Sequence, residues 1–352
     1  MHDDAAGPTG GDCRQILVVA GSGRSGTSLF TGLAGLLGVH IPKPEVSANR
    51  SNPRGFGEPR WAVDFHNELL SSVDVVIEDG RPEAWDLTDK VAERSKALDR
   101  LVEWLGEQFV ENPRIVVKDP RLAWFFQLHR AAAAELDAEV YVATMLRHPA
   151  EVMRSREIAY GTKTSNTTRV IGWMNMMLGT ELRSRELPRA TIRYDDLLGD
   201  WRSAMNQADS TLGLQLFERA TPEQIAGAGA LVDPSLHRSI TSWDALELPP
   251  RVLDLATRTY ETYGRLVGLP ADAQADSRAE LDVIQAELTA YYDESFEVSR
   301  TRTGAFVRRE KRKAVRRVRD EQGSRSREQA GPVSGLRRRL SDTIGSKLRR
   351  AE

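Results

Sequence analysis

Ile16-Leu17-Val18-Val19-Ala20-Gly21-Ser22-Gly23-Arg24-Ser25-Gly26-Thr27-Ser28 is the stretch that decides the fold. Five apolar residues lead into a glycine turn, and an apolar-rich segment, Leu29 to Leu37, follows. The pattern predicts a strand, a tight loop and a helix start, the context in which backbone N–H groups hold a phosphate. The spacing fits the phosphate-loop pattern G-x-x-x-x-G-K-[ST] at every position but one. Thr27 stands where a nucleotide triphosphatase carries lysine. That lysine neutralises the β- and γ-phosphates, so the loop is suited to a single 5′-phosphate and poorly equipped to hydrolyse ATP or GTP. A cation, Arg24, lies inside the loop instead.

Working outward, apolar runs near Gln15–Ala20, Arg114–Val117, Glu139–Met145 and Ala190–Arg193 read as strands. Helical periods lie between them, at Thr27–Leu37, Val91–Val110, Leu122–Leu136, Ala150–Ile158 and Val170–Glu186. Trp201–Leu212, Thr221–Ala230 and Val252–Leu266 read as further helices. This alternation predicts an α/β chain of the phosphate-loop type. Its three layers are a central parallel sheet with helices on both faces. Arg147 ends the third strand, at the edge where open sheets bind ligands. Ser155 follows eight residues later, two turns along the next helix, and the two are in position for one phosphate, by a guanidinium pair and a hydroxyl. Two polar segments, Pro42 to Arg60 and Ala159 to Thr168, read as loops framing the strand ends.

Five segments together resemble the sulfotransferases that use 3′-phosphoadenosine 5′-phosphosulfate (PAPS), from about residue 15 to about 270. Gly23-Arg24-Ser25-Gly26-Thr27-Ser28 is similar to their 5′-phosphosulfate loop, and Arg147 with Ser155 to their 3′-phosphate motif. Asn52 to Glu58, Val117 to Arg121 and Arg193 to Leu198 resemble segments of a bacterial branch. Parts of the pattern are similar to tyrosyl-protein sulfotransferases. The resemblance implies transfer of a sulfuryl group from PAPS to a hydroxyl or amine of a glycan, lipid, peptide or small-metabolite acceptor. It implies that Gly23, Arg24, Ser25, Gly26, Thr27, Ser28, Arg147, Ser155 and Tyr194 bind the nucleotide, with Tyr194 near adenine. The chain departs from the cytosolic small-molecule branch, which carries a tryptophan where Leu29 and Phe30 stand and a C-terminal glycine segment that Arg302-Thr303-Gly304 matches poorly.

Sulfuryl transfer, like phosphoryl transfer, needs cations and N–H donors on the leaving group and a base for the acceptor proton. Fixed arginines, lysines and a helix N-terminus supply the positive charge, so no metal is expected. Arg24 is the expected cation within the loop and Lys118 the second, the latter by resemblance. Arg121 stays unassigned. Glu58 leads as catalytic base; Glu45 and His66 remain open as alternatives. Two other functions stay open on the same architecture. One is a nucleotide-dependent phosphotransferase, disfavoured by Thr27; the other is a non-catalytic nucleotide-binding scaffold.

Composition bounds these readings. One cysteine, Cys13, in 352 residues excludes an intramolecular disulfide framework and a cysteine metal cluster. The start of the chain lacks the basic and apolar regions of a signal peptide, and no run approaches the ~20 apolar residues of a membrane span. A cytoplasmic address is the expectation, with peripheral placement at the inner membrane face as an addition. The formal net charge of −2 hides an asymmetry. From Thr301 onward 17 Lys and Arg face 6 Asp and Glu, a net of +11, which leaves −13 for the rest. The expected organisation is a disordered start at 1–14, a catalytic domain at 15–270 and a helical, basic extension at 271–352. In the extension, Leu336, Leu340, Ile344 and Leu348 recur four apart among arginines. That pattern suits an anionic membrane surface or a protein partner, with no specific nucleic acid expected.

Overall fold

In the computed structural model, which describes residues 13–329 except 51, 53, 95, 162–163 and 234–241, the first apolar run is β1 (Arg14–Ala20). It lies in a four-stranded, wholly parallel sheet with β2 (Arg114–Lys118), β3 (Ala138–Leu146) and β4 (Arg189–Arg193), in the order β2-β1-β3-β4. Arg14 was expected in a disordered start; it opens β1 and pairs with Ala138.

Strand alternation builds two cores, because successive side chains point to opposite faces. Ile16, Val18 and Ala20 enter one core with Ile115, Val117, Val140 and Val142. Residues of four helices close that face: α2 (Arg60–Ser72), α3 (Ala84–Arg94), α4 (Ala97–Glu111) and α5 (Phe126–Glu135). Leu17 and Val19 enter the other, against α1 (Thr27–Leu36), α9 (Trp201–Leu212) and Ala228 of α11 (Pro222–Leu231). Each large apolar side chain fully buried this way contributes about 1.5–3 kcal/mol. The layers are therefore helix, sheet, helix, as the sequence pattern predicts.

Two expected helices are divided. The period read over Val91–Val110 is two helices, α3 and α4, and α3 begins at Ala84. Pro120–Phe125 is a 3-10 turn before α5, because Pro120 supplies the fixed first position and Asp119 accepts the Arg121 N–H. After β3 comes α6 (Pro149–Tyr160), and Ser165 caps α7 (Asn166–Ser184). Among the described residues the remaining α-helices are the short α8 (Tyr194–Gly199) and α10 (Leu216–Arg219), then α12 (Pro250–Arg265) and α13 (Ala275–Gln329).

The chain divides into two compact units, the first reaching Ala290 and the second starting at Tyr291. The first extends past the expected boundary at 270 because Leu281, Ile284 and Leu288 of α13 are buried. Within the second, Arg309, Lys311, Arg312, Lys313 and Arg316 are exposed on helix. The leucine-striped segment from Leu336 to Leu348 lies outside the described residues. Among the described residues no helix is long and apolar enough to cross a membrane.

Candidate active site

Each of the four strands delivers a sequence-predicted residue at its C-terminal end. β1 runs into the glycine loop, β2 ends in Lys118, β3 is followed by Arg147 and β4 by Tyr194. The register brings these ends level: Val19 pairs with Lys118, Ala20 with Thr144, and Leu146 with Arg193.

The loop closes on itself through a Ser25 N–H to Ser22 carbonyl bond of 3.1 Å. Gly26 takes a φ of 92° as the N-cap of α1, with no side chain capping the helix. The first N–H groups of α1 are thus left for a ligand or solvent. Only glycine fits at 26, since a Cβ there would collide with the Tyr194 ring. Arg24 has a φ of 75°, a left-handed conformation that costs a non-glycine residue roughly 1–3 kcal/mol and concentrates at functional sites.

Arg24 is held by both members of the predicted phosphate pair. Its Nε donates to Ser155 Oγ at 3.1 Å, and its carbonyl accepts from Arg147 Nη1 at 3.0 Å. Arg147 is buried. Its Nε donates to Glu151 Oε2 at 2.9 Å, and its guanidinium stacks 4.5 Å from the Tyr194 ring centroid. Burial pushes the Tyr194 phenol pKa up, and the Arg147 charge opposes the rise. Ser25 and Thr27 are buried, whereas Gly23 and Ser28 are partly exposed.

A second group forms at the start of α1. Lys118 Nζ donates to Glu58 Oε1 at 2.6 Å and reaches Ser28 Oγ at 3.5 Å. Asn52 Nδ2 reaches the same hydroxyl at 3.4 Å. Thr27 removes the loop's own lysine, and a lysine from the neighbouring strand stands beside the loop. The Pro42–Arg60 segment makes this possible by folding back on itself. Val46 N–H bonds the Glu58 carbonyl at 2.8 Å, and Arg60 N–H bonds the Pro44 carbonyl at 2.8 Å.

The two alternative bases differ in placement. Glu45 pairs with Lys43 and bridges Pro59 through its backbone, next to Glu58. His66 is fully buried, with Nδ1 2.8 Å from Asp119 Oδ2 and its ring stacked on Phe125; it cannot meet an acceptor, which corrects its candidacy. Arg121 also serves Asp119, at 2.7 Å. Burial pushes the Asp119 pKa up, but the His66 hydrogen bond and the charges of His66 and Arg121 together hold it below the usual carboxylate range.

Sequence reasoning missed Asn52, Glu78, Glu151 and Arg156. Glu151 was legible as the fourth residue after Arg147, the helical spacing for an ion pair. Asn52 lies in a segment already singled out. Glu78 belongs to no motif; it accepts from Ser22 Oγ at 2.9 Å and pairs with Arg156.

Among solved structures, the sulfotransferase domain from the Synechococcus PCC 7002 olefin synthase is similar at 18% identity and a TM-score of 0.42. The likeness covers 73% of this chain and 97% of that domain. No family model and no curated protein sequence matches the chain. At that level of likeness the functional reading rests on the site's own residues.

Proposed function

We propose that the chain is a PAPS-dependent sulfotransferase. The observation that carries this reading is the convergence of Arg147 and Ser155 on Arg24, which gathers the predicted 3′-phosphate pair and the 5′-phosphate loop into one surface. The uncapped N-terminus of α1, the left-handed Arg24 and the close fit at Gly26 suit a bound 5′-phosphate. Arg147 and Ser155 take the 3′-phosphate, and the Tyr194 ring lies against the Arg147 guanidinium.

The Lys118–Glu58 pair supplies the chemistry. The acceptor hydroxyl oxygen attacks sulfur in line, forming an S–O bond while the S–O bond to the 5′-phosphate breaks. Glu58 takes the acceptor proton. As that proton neutralises Glu58, the Lys118 ammonium loses its counter-charge at the moment negative charge builds on the leaving phosphate oxygen. A fixed cation released in a partly dry site is worth far more there than in water. Arg24 and the N–H groups from Ser25 to Ser28 share the same leaving group. The acceptor carries a hydroxyl or amine, and its nucleophile must reach Glu58.

Thermal unfolding tests the reading. 3′-Phosphoadenosine 5′-phosphate should stabilise the fold by about 2.7 kcal/mol at a hundred times its Kd. A larger shift with ATP and magnesium would replace sulfuryl transfer by phosphotransfer.

A further inference from the structure

One ion pair at the loop has no role in the scheme above. Glu78 lies between α2 and α3, and its side chain is 7% exposed. Its position is fixed by packing of the backbone around it. A Cβ on Gly80 would stand 2.8 Å from Ile171, Gly172 leaves no room for a side chain against the Glu78 carbonyl, and Asn175 Nδ2 donates to the Asp79 carbonyl at 2.8 Å. From that rigid support the carboxylate accepts the Ser22 hydroxyl and pairs with Arg156 Nη1.

Arg156 follows Ser155 on α6, and its Nη1 would lie 3.9 Å from a Cβ built on Gly23. Its side chain is 25% exposed, so the guanidinium beside Gly23 is still reached by solvent. Burial lowers its pKa, with Arg169 and Arg24 adding to that effect and Tyr160 opposing it. Among cations that crowd it, Arg156 has the Glu78 carboxylate as its ion-pair partner.

We infer that Arg156 is a further oxyanion-binding residue of the loop and that Glu78 is its built-in competitor. The inference rests on the proposed reading that an oxyanion occupies this loop. Without ligand, Glu78 neutralises Arg156 and holds Ser22 in place. A phosphate-type group entering the loop must draw the guanidinium away from the carboxylate, so part of the attraction is spent on breaking the pair. Affinity is thereby set below what the loop's cations alone would give. A merely structural carboxylate has the opposite signature, because removing it would loosen the loop and weaken binding.

The test is a titration of the full chain with 3′-phosphoadenosine 5′-phosphate and, separately, with inorganic pyrophosphate. Glu78→Gln keeps the side-chain shape and an acceptor for Ser22 but removes the charge. It should tighten binding about tenfold, the scale of one charge-assisted contact. Arg156→Gln should weaken binding about tenfold. The double variant should bind like Arg156→Gln alone, because the competitor has nothing left to compete for. Unchanged or weaker binding in Glu78→Gln, with a thermal midpoint like that of wild type, overturns the inference. So does tightening that persists in the Arg156→Gln background. If Glu78→Gln unfolds, an Arg156→Gln variant that binds as tightly as wild type is enough to overturn it. Wild type that binds pyrophosphate but not the nucleotide would defeat the sulfotransferase reading while the competition is still scored with pyrophosphate. Binding of neither would defeat both.

Discussion

Lys118 and Asp119 are neighbours in sequence, and each is buried against a residue from the segment around α2. Lys118 forms an ion pair with Glu58, and Asp119 a hydrogen bond with His66. Their fates differ because consecutive residues at a strand end point to opposite faces. Lys118 follows Val116 to the α1 side, where it meets Glu58 and the Ser28 hydroxyl. Asp119 follows Val117 to the α2 side, where it meets His66, whose ring packs on Phe125 and His129. Burial and pairing are common to both, so neither property marks function. What separates them is contact with the start of α1 at the glycine loop.

Turnover should break the comparison most sharply. Glu58→Gln should lower sulfuryl transfer by about 10²–10⁴-fold, the usual contribution of a positioned base, and leave nucleotide affinity nearly intact. His66→Gln should leave turnover within a few-fold at a temperature where the variant is folded. Release of 3′-phosphoadenosine 5′-phosphate from PAPS with an active acceptor measures both. Equal losses in the two variants would erase the distinction.

Stability should sharpen it in the reverse sense. Asp119→Ala strands His66 and Arg121 and should cost about 3–5 kcal/mol in denaturant unfolding, the range for breaking one side of a buried pair. His129, adjacent to His66, adds a pH signature. Burial first, and the charge of His66 second, lower its pKa from 6.5 to about 3. The unfolded chain therefore binds a proton below pH 6.5 that the folded chain refuses until about pH 3. Stability should fall across that window by about 1.4 kcal/mol per pH unit from this site. A His129→Gln variant should show a flatter acid limb in equilibrium unfolding at a series of pH values.

The smallest expected effect concerns the basic extension. Removing residues 330–352 should leave nucleotide affinity unchanged and reduce co-sedimentation with anionic vesicles at low salt, since each Lys or Arg near such a surface contributes about 1 kcal/mol. Equal sedimentation of the two chains would count against a membrane role.

Much of the fold was legible because its signals are local. The apolar run Ile16–Ala20 and the glycine loop each fix their own element. The division of Val91–Val110 was hidden because the helical period continues through the break. In the candidate site, the place of Arg147 was legible from the strand end itself, whereas Lys118 and Tyr194 were singled out through the resemblance. The site was hidden where a residue arrives from a loop without periodicity, as Glu78 does. His66 stayed open as a third base because a histidine's sequence position says nothing about the carboxylate that packs against it.

Calorimetric titration with 3′-phosphoadenosine 5′-phosphate and adenosine 5′-phosphate, on wild type and Arg147→Ala, tests the central claim most directly. Wild type should prefer the bisphosphate by tenfold or more, about the 1.5–3 kcal/mol of a hydrogen bond to a charged group. Arg147→Ala should lose most of that preference while still binding the monophosphate. Equal affinity for the two nucleotides in wild type, or a preference that survives Arg147→Ala, would contradict the assignment of this surface to a 3′-phosphate.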